Sequence, residues 1–88
     1  MKSIYRYEVP VDGQRHRFEL HGDPLAVGLR RTGVVEFWAV HYDTQDEWPQ
    51  RAFTIVGTGH TLPSPWRHWG HAYDMDGALV WHLIEVAT

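Results

Sequence analysis

Apolar and polar residues alternate along most of this chain, and no long stretch repeats with the period of a helix. In residues 4–9, Tyr5, Tyr7 and Val9 fall on one side while Arg6 and Glu8 fall on the other, the pattern of a strand with one wet face. Pro10 and the Asp12-Gly13 pair then read as a turn. Residues 15–21 alternate again with His16, Phe18 and Leu20 together, so these two segments are expected to pair as a hairpin.

After the break at Gly22-Asp23-Pro24, Leu25, Val27 and Leu29 alternate up to a turn at Thr32-Gly33. Residues 34–42 are apolar on both faces and are predicted to be a central strand. Residues 43–50 form a polar, acidic loop in which Asp43, Asp46 and Glu47 stay solvated and Trp48 is expected to be exposed as a contact residue. Residues 51–57 give the next strand. Pro63 and Pro65 forbid helix in the link that follows, and residues 66–73 read as a short strand. A turn over residues 74–77 leads into residues 78–86, where Leu79, Trp81 and Leu83 share one face and Val80, His82 and Ile84 the other. The expected architecture is an all-β single domain over residues 1–88, a small antiparallel sandwich or partly closed barrel of about seven strands.

Composition narrows the function classes. At 88 residues there is chain for one core, and the lack of cysteine removes disulfides, thiolate metal sites and cysteine nucleophiles together. A net charge of −3 gives no general attraction to phosphate backbones, so duplex nucleic acid is not an expected partner. Residues 1–8 lack the apolar centre of a secretory signal and the apolar runs are too short to span a bilayer, which predicts a cytoplasmic protein without membrane contact. Five Trp, four Tyr and three Phe are many for this size; they favour self-association or a stacked ligand.

The sharpest local feature is Gly57-Thr58-Gly59-His60, a glycine-flanked turn that ends a strand on an imidazole. Its backbone amides suit an anion-binding nest, with Thr58 and His60 as added donors. It is no Walker loop, because the lysine is missing. Among the seven histidines, His60, His68, His71 and His82 with Asp74 and Asp76 are the metal candidates. His68 and His71 stand three apart, which places them on opposite faces of a regular strand, so no metal and no cofactor are expected. Ser3 and Ser64 sit in no nucleophile elbow, and no catalytic constellation can be assembled. His82 sits in an apolar strand and needs a hydrogen-bond partner, with His60 as the sharper possibility.

Residues 4–9, Phe37-Trp38-Ala39, residues 53–63 with their Gly-Thr-Gly-His, and residues 76–85 together resemble a family of short proteins carried by bacteriophages and prophages, many from actinobacterial hosts. The chain departs from that pattern at Trp69-Gly70-His71-Ala72, where a Gly-Thr pair is more usual. The resemblance implies a phage accessory protein acting in the host cytoplasm. It brings no catalytic mechanism.

The expected function is therefore a non-enzymatic, homo-oligomeric binding protein that counteracts host defence by sequestering a nucleotide-derived signal. Thr58, His60, Trp69 and His82 are the expected ligand contacts, with Arg51 or Arg67 on phosphate. The alternative is an inhibitor of a host protein, or a minor virion component, that docks through Trp48 and the acidic loop.

Overall fold

A computed structural model describes residues 1–43 and 47–88; Asp46 of the acidic loop lies outside them. The described residues form seven strands and no helix: β1 (Lys2–Pro10), β2 (His16–Glu19), β3 (Pro24–Arg31), β4 (Val34–Tyr42), β5 (Gln50–Gly57), β6 (Trp66–Tyr73) and β7 (Val80–Val86). They make two antiparallel sheets, ordered β1-β4-β3 and β2-β5-β7-β6. The all-β sandwich expected from alternation is the architecture found. Among the described residues no helix is long and apolar enough to cross a membrane.

The inward residues of both sheets meet in one core. Val9, Val35, Phe37, Phe53 and Leu83 have no exposed surface, and Tyr7, Phe18, Trp69 and Trp81 pack against that cluster. Tyr7 stacks on Phe37 at 5.1 Å between ring centres, and Phe18 meets Phe37 edge-on at 5.7 Å. Both geometries suit ring quadrupoles. Burial pushes the Tyr7 phenol above its usual range.

The predicted β1–β2 hairpin is not formed. β1 pairs over its whole length with β4, whereas β2 pairs with β5 in the other sheet. At the crossover the Asp12 side chain accepts from Gln14 N–H at 2.9 Å and Gly13 has φ +73°, while Val11 N–H donates back to Gly33. Residues 34–42, expected to be central, are central as β4.

Trp48 is half-buried rather than exposed. Its indole lies parallel to His21 at 4.9 Å, His21 stacks on His41 at 4.2 Å, and His41 stacks on Tyr5 at 4.1 Å. His21 sits inside this column between Trp48 and His41, and its Nδ1 accepts Tyr42 N–H at 2.9 Å, which fixes the imidazole between its neighbours.

A second, smaller apolar cluster lies on the outer face of the four-stranded sheet. Ala52, Ile84 and Val86 form it, and Leu62 from the β5–β6 connection packs against them. Within this largely exposed connection only Leu62 and Pro63 are partly buried, and the candidate site lies on the same face beside Leu62.

Candidate functional site

The site begins with β5 stopping. Gly57 is buried at the end of the strand, and a Cβ there would lie 3.0 Å from the His60 ring and 3.1 Å from Trp81. Only glycine lets an imidazole and an indole press on the backbone so closely. Thr58 N–H still donates to Val80 across the sheet; the chain then reverses through Gly59, whose φ is +88°, and His60 N–H closes the turn on Gly57 C=O at 3.0 Å. The turn thus sets the Thr58 hydroxyl beside His82 on the outer face, while the His60 imidazole lies against Gly57 on the side that Trp81 also touches.

Two histidines meet them from below. His82 of β7 shares the outer face with Val56, its partner in β5. Its Nε2 lies 2.8 Å from Thr58 Oγ1, and its Nδ1 lies 3.0 Å from His68 Nε2. Thr58, His82 and His68 therefore form one hydrogen-bonded chain, which either direction of proton donation satisfies. Burial holds the His82 imidazole below its ordinary pKa, and the neighbouring His68 and His71 rings lower it further by repelling a positive charge.

His68 and His71 occupy the same face, contrary to the parity expected from their spacing. The ladder between β6 and β7 slips between His68 and Gly70, so that His68 opposes Ile84 while His71 opposes His82. The extra residue is a β-bulge, and it resets the alternation. Both rings approach His82, at 5.1 Å and 6.1 Å between ring centres. Among the described residues no group of three metal-ligating side chains is placed to hold an ion. Asp74 and Asp76 lie in the β6–β7 turn, where Gly77 N–H closes on Asp74 C=O and Asp76 accepts from Ala78 N–H.

The resulting cleft has a volume of about 350 Å³. Val56, Ile84 and Leu62 make it apolar, His60, His68 and His82 give it polar atoms, and Trp66, 52% exposed, stands at its edge. A second cleft of about 390 Å³ lies across the same turn toward Trp81, with Thr58 and His60 bordering both.

The six expected contact residues fall into two groups. Thr58, His60 and His82 converge on the outer-face cleft. Arg51, Arg67 and Trp69 gather instead around Glu85: Arg51 donates to both Glu85 oxygens at 2.8 Å and to Asp23 at 2.9 Å, and the Trp69 indole N–H donates to Glu85 at 2.9 Å. Arg67 lies 4.2 Å over the Trp69 ring. The fork geometry raises the pKa of Arg51 and holds the Glu85 carboxyl below its usual range. Each Arg51 nitrogen already has a carboxylate oxygen, so this group works as a brace.

Sequence reasoning left His68 and Trp66 out of the contact set. Gly70 was the available signal for His68, since a glycine inside a strand pattern marks a bulge. Trp66 carries no such signal.

A family model described as a domain of unknown function, DUF7352, matches residues 1–88. The chain belongs to that family. No curated protein and no solved structure matches it.

Proposed function

We propose that the protein is a non-enzymatic binding protein whose outer-face cleft takes a small nucleotide-like ligand, a planar ring carrying a phosphate. The observation that carries this reading is the convergence of Thr58, His60, His68 and His82 on an apolar cleft of about 350 Å³ with Trp66 at its edge. The volume lies in the range of small-molecule sites, and a few convergent polar atoms in an apolar cleft are what orients such a ligand. The ring stacks on Trp66, and the phosphate takes donors from His60 and the Thr58–His82–His68 chain.

Binding is favoured over catalysis by the electrostatics of His82. A general base must hold the proton it takes, and in serine hydrolases a carboxylate supports the resulting imidazolium. Here His68 and His71 stand beside His82 instead, and they disfavour that charge. In the phage setting implied by the sequence resemblance, such a protein sequesters a nucleotide-derived immune signal in the host cytoplasm.

Calorimetry with cyclic and ADP-ribose-type nucleotides tests the proposal. Saturable binding of at least one, lost in Thr58→Val and His82→Ala, is expected. No binding by any of them overturns it.

A further inference from the structure

Of the sheet edges, three are blunted. β2 has only four residues, β3 carries two register shifts, and β6 carries the Gly70 bulge and lies against β3. These are the devices by which edges resist pairing. β1 is neither short, bulged nor covered: its nine residues run in unbroken register with β4, proline occurs only at its last position, its charges Lys2, Arg6 and Glu8 are of both signs, and its outer side is unpaired among the described residues. Ile4 and Tyr5 on it are 63% and 48% exposed.

We infer that β1 pairs antiparallel with β1 of a second copy of this chain, centred on Tyr5, to make a continuous six-stranded sheet. The charges on β1 choose the register. With Tyr5 opposite Tyr5, Lys2 stands opposite Glu8 twice and Ile4 opposite Arg6, with no like charges facing. Centring on Ile4 sets Lys2 against Arg6, centring on Arg6 sets that residue against itself, and centring on Glu8 does the same for the carboxylate. Centring on Tyr7 would use Pro10, which has no N–H to give, and the half of β1 where Tyr7 already packs on Phe18 of the second sheet. Lys2 makes no ion pair among the described residues and lies 5.7 Å from the centre of the Tyr42 ring, so it can turn to the partner's Glu8, which within its own chain contacts Arg31 at 3.2 Å and Arg6 at 4.0 Å.

The chain has no cysteine, which allows a direct test of register. Directly opposed residues in such a pair have Cβ atoms about 4.5–5.5 Å apart, just beyond the span of a disulfide, so a small strand movement closes the bond. Tyr5→Cys is expected to form a covalent dimer on mild oxidation much faster than Ser3→Cys or Tyr7→Cys, whose opposed residues are not their own copies. In sedimentation, Lys2→Glu should weaken the dimer about tenfold by turning both attractive pairs repulsive, and adding Glu8→Lys should restore it. A monomer at every concentration, or equal oxidation rates for the three cysteine variants, overturns the inference.

Discussion

Gly70 and Val27 are in direct contact where β6 meets β3, so closely that a Cβ on Gly70 would lie 2.7 Å from Val27 Cγ2 and 3.2 Å from its Cβ. The two sheets approach there, and the same residue forms the bulge that brings His68 and His71 onto one face. A structural contact and the make-up of the cleft thus rest on one missing methyl group.

Gly70→Ala is accordingly expected to destabilise the fold by about 1–3 kcal/mol, since valine has no flexible end to move aside. In a domain this small, each kcal/mol lowers Tm by about 4–8 °C. Thermal unfolding followed by circular dichroism reads the change, and an unaltered midpoint would show that β6 and β3 can part freely.

Glu85→Gln removes the charge that Arg51 and Trp69 share. A loss of about 1–3 kcal/mol is expected, at the lower end because the pair is partly open to water. Glu85 is held below its ordinary pKa in the folded state, so its contribution is present above the unfolded value near 4.5 and fades as pH falls through the lower folded value. Denaturant titrations in that acid window should show the wild-type protein losing stability faster than the variant.

His82 has its pKa lowered on folding, which reverses the usual histidine case. The unfolded chain binds the proton more readily, so acidification through the unfolded value near 6.5 costs stability. Proton NMR should place the His82 midpoint below 6.5, and His71→Gln should move it upward by removing a repelling neighbour. A midpoint that does not respond to His71 would mean that burial and His68 set it.

A phosphate bound beside Thr58 and His82 would favour the charged form of His82 and raise its pKa from the lowered folded value. Binding should then take up protons, and affinity should increase as the solution is acidified toward about pH 6. Calorimetry of the nucleotide in buffers of different ionisation enthalpy measures that uptake directly; zero uptake would place the phosphate away from the histidines.

Trp66→Ala should weaken nucleotide binding by about 1–3 kcal/mol, the usual contribution of a base stacked on an aromatic ring. Trp69→Phe, which keeps a ring in the brace around Glu85, should leave affinity nearly unchanged.

Alternation placed all seven strands because each has one face toward the core or two buried faces, and period two is a local property of the chain. Pairing is not local. The Asp12-Gly13 turn looked like a hairpin signal, and only the length of β4 available to β1 shows why the chain changes sheet there. The Gly57–His60 turn was legible as a candidate because glycine on both sides of a short polar pair has few other uses. The union of His68 with His82 was not, because a parity argument fails across a bulge. Arg51 and Trp69 looked like ligand donors from their residue types, and what removes them is a carboxylate distant in the chain, Glu85.

Strand β7 presents His82 outward to the cleft and Leu83 inward to the core. A slip of one residue against β5 would drive the imidazole into the core and expose the leucine, at a penalty far greater than that of losing a ligand contact. The register that buries Leu83 is thus the same one that turns His82 outward, so core stability and the placement of the cleft's side chains are selected together.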